Sequence, residues 1–249
     1  MVFFRIVIIN IIVNFIELKP ICIIPARGGS KGVPKKNIKI IAGKPLLAHV
    51  IESLKKSAIF SYIIVSTEDE EIAKIAKKYG ATVPFIRPKR LSSDTIPMDK
   101  VLLHAVQTLY KLGYNFDIFV WRDATTPFIR SSDIKKSITF LRKKKCDTVC
   151  GVYKQHLNPY FNMVELDSNG FLKLSKSLKH RPRSRQEAPV VFQLNGLYTY
   201  DARKFLNTGK TDFSKCIPLE IPMETGLMID TKFEFEIAKL LIENKSTFL

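Results

Sequence analysis

Residues 21 to 37 read ICIIPARGGSKGVPKKN: an apolar run, then Gly28, Gly29 and Gly32 set among Arg27, Lys31, Lys35 and Lys36. A short continuous apolar run bounded by a turn predicts a strand buried on both faces of a parallel sheet. The loop after it combines two costs. Glycine loses more conformational entropy on ordering than any other residue, and clustered cations repel one another. Successive backbone N–H groups at a strand end, ringed by cations, form the kind of concavity that grips phosphate oxygens. Each close charge pair there contributes ~4 kcal/mol at the effective dielectric of a partly buried site. That exceeds the ~1 kcal/mol that each glycine costs. The spacing fits neither G-x-x-x-x-G-K-[ST] nor G-x-G-x-x-G, so this is neither a P-loop nor a dinucleotide fingerprint.

Working outward, strands and helices alternate. Leu46, Leu47, Val50, Ile51 and Leu54 fall on one helical face over residues 44 to 57, and YIIVST at 62 to 67 reads as the next strand. A helix over 70 to 79 is stopped by Gly80, and ATVPFI at 81 to 86 reads as a third strand. A helix over 98 to 112, a strand at 116 to 121, a helix from about 132 to 144 and a strand at 147 to 152 complete the pattern. Such alternation predicts an α/β fold of Rossmann-like type, its mostly parallel sheet flanked by helices. Ligands of such sheets sit beyond the carboxyl ends of the strands, where the glycine loop lies.

After Val152 the rhythm changes. Ser168-Asn169-Gly170 between two alternating runs signals a hairpin, and residues 190 to 200 read as another strand. Residues 155 to 195 are therefore read as a β-rich insertion within one domain spanning 20 to 249, which ends in a helix over 232 to 244. The first 19 residues are apolar but broken by Arg5, Asn10 and Asn14, short of the ~20 clean residues of a membrane span. They also lack a small-residue cleavage site, so no secretory signal and no stable membrane span is expected.

Of 249 residues 40 are Lys or Arg and 23 are Asp or Glu, a net charge of +17. The excess is spread along the chain, denser only at 143 to 145 and 179 to 185, and lysines are not interleaved with aromatics on one face. Nucleic acid is therefore not the expected partner. Four cysteines without a metal-ligand spacing are expected to be reduced thiols in a cytoplasmic protein. His49 and His104 fall within helices and are read as structural, and Trp121 as core.

IPARGGSKGVPKKN resembles the signature of the acylneuraminate cytidylyltransferases, the CMP-sialic acid synthetase family. The likeness continues through AGKPLLAHVIESLKKS, STEDEEIA, RPKRLSSDT, DATTPFIRSSDI, RSRQEAPVVFQLNGLYTY and MIDTKFEFEIAKLL. The resemblance implies CTP and an acidic nine-carbon sugar as substrates, CMP-sugar and pyrophosphate as products, Mg²⁺ as cofactor, and a homodimer paired through the β-rich stretch. It implies that Arg27 and Lys36 neutralise phosphate, and that Ala26, Gly28, Gly29, Ser30, Lys31 and Asn37 shape the nucleotide loop. Arg87 and Asp94 would stand near cytosine and ribose, and Arg185, Gln186, Gln193 and Asn195 would face the sugar. An arginine suits a carboxylate substrate because its planar fork donates in a bidentate way.

The chain departs from the family pattern at the metal. Where the family commonly shows D-I-D, this sequence reads Met228-Ile229-Asp230, and Asp123 stands where the family usually has glutamine. Asp230 and Asp123 are therefore the expected Mg²⁺ ligands, a cation content with one or two carboxylates plus phosphate oxygens. Ile129 stands at a frequent arginine position, with Arg130 one place later. Bland alternatives accompany these readings: Arg27, Lys36 and Arg185 as solvated cations, Asp94 and Asp230 as helix caps. Rival functions are a cytidylyltransferase for another acidic sugar such as the eight-carbon lipopolysaccharide acid, whose A-R-x-x-S-x-R-x-P loop does not fit residues 26 to 34, and a non-catalytic nucleotide-binding relative.

Overall fold

The computed structural model describes residues 18–30, 32–144 and 146–244. Residues 1–17, Lys31, Lys145 and 245–249 lie outside it, so the readings made on residues 1 to 17 and on Lys31 fall outside the described residues. In chain order the elements are β1 (Ile21–Pro25), β2 (Ile40–Ile41), β3 (Lys44–Pro45), α1 (Leu46–Ser57), β4 (Tyr62–Ser66), α2 (Glu70–Lys78), α3 (Met98–Lys111) and β5 (Ile118–Arg122). Then follow α4 (Ser131–Lys143), β6 (Thr148–Gln155), β7 (Val164–Leu166), β8 (Leu172–Leu174), β9 (Val191–Asp201), α5 (Ala202–Thr208), β10 (Cys216–Glu220) and α6 (Lys232–Glu243).

Six strands form one sheet in the order β10-β6-β9-β5-β1-β4. β1 pairs in parallel with β4 (Ile23 opposite Ile64) and with β5 (Ile23 opposite Trp121). β9 runs antiparallel to both β5 and β6. The expected α/β fold is borne out. Because successive side chains of a strand face opposite ways, β1 supplies both cores. Cys22 and Ile24 pack with Leu47, Ile51 and Leu54 of α1 and with Ile134 and Ile138 of α4 on one face. Ile21 and Ile23 pack with Leu102, Val106 and Leu109 of α3 and Phe205 of α5 on the other. Each such buried aliphatic side chain is worth ~1.5–3 kcal/mol over an exposed one, so β1 is pinned from both sides and the loop after it starts from a fixed point. A third cluster joins Val33, Ile41 and Leu46 to Ile229, Phe235 and Ala238, seating the start of α6 beside the glycine loop.

Four readings need correction. The third strand expected at 81 to 86 is only a bridge between Ile64 and Thr82, because Pro84 cannot donate to a ladder. The helix expected from residue 44 starts at Leu46, since Lys44 and Pro45 pair with Ile40 and Ile41 across a turn at Ala42 and Gly43. Both turn residues have positive φ, 45° and 78°, as a two-residue hairpin of this type demands. α5 and β10 were not foreseen. β10 brings Cys216 beside β6, where it forms a disulfide with Cys150 at a Cα separation of 6.5 Å, so these two are not free thiols. The hairpin at 168 to 170 is present as β7–β8, with Asp167 Oδ1 accepting from the Asn169 and Phe171 N–H groups.

Candidate active site

A cavity of about 260 Å³ opens at the carboxyl ends of β1 and β5. Arg27, Ser30, Lys36, Asn37, Arg87, Asp94 and Asp123 all line it. Residues separated by nearly a hundred positions thus meet where the strand pattern placed the glycine loop. Two of the three cations are paired, whereas Arg185 is exposed. Arg27 reaches across the cavity to pair with Asp94, and Lys36, only 14% exposed, pairs with Asp230 at 2.7 Å.

The loop is held from behind. Asn37 is buried, and its Nδ2 donates to the Arg27 carbonyl at 2.9 Å. The Gly28 N–H donates to Glu68 Oε1 at 2.8 Å, and Arg87 donates to Glu68 Oε2 at 2.7 Å. That amide therefore faces Glu68, and of the loop residues after Arg27 it is Ser30 that lines the cavity. A Cβ at Gly28 would crowd the Asp69 carboxylate, which caps α2 through the Glu71 and Ile72 N–H groups. Arg87 is buried and also donates to Ser92 Oγ and the Ser66 carbonyl. Partial burial pushes the Glu68 carboxyl up, but the donors from Gly28 and Ser92 and the Arg87 charge hold it below the ordinary value. Nothing in a single sequence marked Glu68 beyond its place at the end of β4.

Asp123 follows β5 directly. Burial raises its carboxyl to about 6, while the Trp121 indole and the Arg122 charge pull the other way. Trp121 stacks on Tyr198 at 4.3 Å and donates Nε1–H to Asp123 Oδ1 at 2.8 Å. Its task is thus to aim Asp123, not only to fill core. Arg122 is fully buried beneath the same turn, donating to the Thr126 hydroxyl and carbonyl and to the Gly196 carbonyl. An uncompensated buried guanidinium is costly, and burial draws this one down to about 10. Those bonds fix the turn from Asp123 to Thr126.

Asp230 precedes α6 but does not cap it. Thr231 is the N-cap, forming a capping box with Glu234, and the Asp230 side chain is left to Lys36. Nor does Asp94 cap α3, whose N-cap is Pro97. Gly32 approaches so closely that a Cβ would overlap the Asp230 carbonyl oxygen. Gly32→Ala is therefore expected to push Asp230 away from Lys36 and lower stability by about 1–3 kcal/mol, as overpacking does. Thermal unfolding against wild type checks it, and an unchanged Tm removes the proposed contact.

Asp230 is close enough to Asp123 that its charge adds to the cost of ionising Asp123. No group of three or more His, Cys, Asp or Glu that could enclose a metal exists among the described residues. Two hard oxygen donors beside a cationic loop fit a Mg²⁺ that draws its other ligands from phosphate and water.

The residues expected on the sugar side are placed apart from this group. Arg185 and Gln186 are exposed on the segment between β8 and β9. Gln193 of β9 accepts from Gln155 of β6 at 2.6 Å. Asn195 is fully buried, with Oδ1 accepting from the Leu197 N–H and Nδ2 lacking a protein partner. None of these four lines the cavity. His49 bonds the Ile41 carbonyl at 2.8 Å, and His104 packs on Phe85, both in structural positions.

A mostly parallel sheet carrying paired cations and carboxylates at its strand ends is that of a nucleotidyltransferase. The family model described as Cytidylyltransferase matches residues 21–221, and this chain belongs to that family. Post-translational flagellin modification protein B of Campylobacter coli is 35% identical over 91% of this chain and 96% of its own length. CMP-N,N'-diacetyllegionaminic acid synthase of Campylobacter jejuni is 34% identical over 91% of this chain and 96% of its own length. Pseudaminic acid cytidylyltransferase of the same species is 29% identical over 93% of this chain and all of its own length. Among solved structures, CMP:2-keto-3-deoxy-manno-octonic acid synthetase in complex with CTP aligns with a TM-score of 0.67 at 19% identity, covering 92% of this chain and 100% of that one. The last likeness concerns the fold alone.

Proposed function

We propose that the protein couples CTP to a nonulosonic acid of the legionaminic, pseudaminic or sialic type. The anomeric hydroxyl oxygen attacks the α-phosphorus, the bond from that phosphorus to the bridging oxygen breaks, and pyrophosphate leaves as the hydroxyl proton is lost. One observation carries this reading: Arg27 and Lys36, from the loop after β1, converge with two carboxylates on a single cavity at the strand ends. Full-length likeness to two such cytidylyltransferases supports the sugar class.

In this reading Arg27, Lys36, Lys31 and the loop at Gly29 and Ser30 receive the triphosphate, and Asn37, Arg87 and Asp94 shape the cytidine side. Charge neutralisation and in-line placement supply most of the rate for such a transfer. Asp123 and Asp230 would hold Mg²⁺, which when bound offsets phosphate charge. Arg185, Gln186 and Gln193 would meet the acid, whereas Asn195 is buried away from it. The solvated faces of β7, β8 and the outer half of β9 expose Leu166, Phe171, Leu172 and Phe192, a patch suited to pairing two copies. A homodimer would bring a second chain to the sugar side, and its mass in solution checks this. A reaction that consumes CTP belongs in the cytoplasm.

Pyrophosphate release from CTP, UTP and ATP with legionaminic, pseudaminic, N-acetylneuraminic and the eight-carbon acid tests the reading. CTP-dependent release with one nine-carbon acid is expected. Release with the eight-carbon acid alone, or CTP binding without turnover on any acid, would overturn it in favour of the corresponding alternative.

A further inference from the structure

We infer that Glu68, which does not line the cavity, is a positioning residue that sets the cavity's width by tying its two walls together. The inference rests on that cavity being the nucleotide site. One wall is the glycine loop, the other the turn from Arg87 to Asp94. Glu68 touches both: Oε1 accepts the Gly28 N–H at 2.8 Å and Oε2 accepts the Arg87 guanidinium at 2.7 Å. One tie ends on Arg87, which lines the cavity, and the other on the neighbour of a lining residue. Gly28 is bonded directly to Arg27, whose own carbonyl is fixed by Asn37. Arg87 carries Ser92 on its Nε at 3.1 Å, and Ser92 lies two residues before Asp94. Of the pair that spans the opening, Arg27 is thus held through Gly28, and Asp94 through Arg87 and the Ser92 turn, by the same carboxylate.

The anchor itself does not move easily. Glu68 lies between the end of β4, whose Ser66 carbonyl also accepts from Ala26 and Arg87, and the α2 cap Asp69. Its side chain is 13% exposed and that of Arg87 3%, so water does not compete freely for the pair. A carboxylate is the one side-chain type that can accept from a backbone amide on one oxygen and a guanidinium on the other. Glutamine keeps the first acceptor but turns an NH₂ toward the arginine. Aspartate falls one methylene short of spanning the gap.

Two measurements test this, one of them without nucleotide. In Glu68→Ala the Gly28 amide should lose protection from hydrogen exchange, while amides of β1 and β4 keep theirs. Wild-type protection at Gly28 in that variant overturns the tie. For Glu68→Gln, which keeps size but offers only one acceptor oxygen, KM for CTP should rise about 100-fold, the loss typical of a displacement near 1 Å. KM for the sugar should stay near wild type, and Glu68→Gln/Arg87→Met should be no worse than Arg87→Met. A folded Glu68→Gln with wild-type KM for CTP, or additive losses in the double variant, overturns the positioning role. If wild type itself shows no CTP binding, the functional reading fails while the exchange result still decides the tie.

Discussion

Arg27→Ala is expected to lower kcat/KM with CTP by about 10²–10³-fold, the loss that follows when one preorganised charge-stabilising group is removed. Stability should hardly register it. Arg27 and Asp94 are each 36% exposed, and ion pairs that wet contribute about 1 kcal/mol or less. In a domain of this size that is a change in Tm of about 2–4 °C at most. Turnover and melting temperature should therefore separate widely. The deletion also leaves the Asp94 charge in the cavity without that cation, where it repels incoming phosphate. Arg27→Ala/Asp94→Ala should consequently recover part of the lost KM effect, and Arg27→Lys should lie between, keeping the charge but losing the planar fork. Steady-state kinetics on these three variants and on Asp94→Ala decides it. Wild-type turnover in Arg27→Ala places the triphosphate elsewhere. Additive losses in the double variant mean that Asp94 itself contacts the nucleotide.

What made Arg27 and Lys36 visible in the sequence was local. An apolar run and three glycines lie within a dozen positions of both, and the strand they follow is specified by its own residues. Asp94 and Asp123 were visible only by resemblance, yet the fold brings them to the same cavity. Glu68 and Arg122 were not legible at all. Their meaning lies in partners 40 and 74 positions away, Gly28 and Gly196, and a single chain carries no periodic trace of such a pairing. The failed third strand is instructive in another way. ATVPFI has strand composition, but Pro84 interrupts the ladder after one bridge, and backbone chemistry overrides composition. β10 was missed because Pro218 lies within CIPLE. At the sheet's edge a proline is tolerated, and that edge position cannot be read from the segment itself. The disulfide between Cys150 and Cys216 then follows from β10 and was unreadable for the same reason.

The second large effect concerns the carboxylates. Asp230→Asn is expected to lower turnover about 100-fold and raise the Mg²⁺ concentration for half-maximal rate about tenfold or more, since this cation is held by only one or two protein carboxylates. Two consequences fall on one atom group, because Asp230 also holds Lys36 at 2.7 Å. Freed of that partner, Lys36 can still reach phosphate, so KM for CTP should change less than kcat. Asp123→Asn should shift the metal titration in the same direction while leaving Lys36 paired. It also retains an oxygen for the Trp121 indole, so the turn beneath it should persist. Titrating Mn²⁺ into each variant in the presence of CTP, followed by electron paramagnetic resonance, reads the metal directly and without turnover. Equal weakening in both variants supports a shared site. Weakening in Asp230→Asn alone would remove Asp123 from the metal and leave it as an anchor for the turn after β5. In that case a single carboxylate serves, and the metal's remaining ligands must come from nucleotide and water.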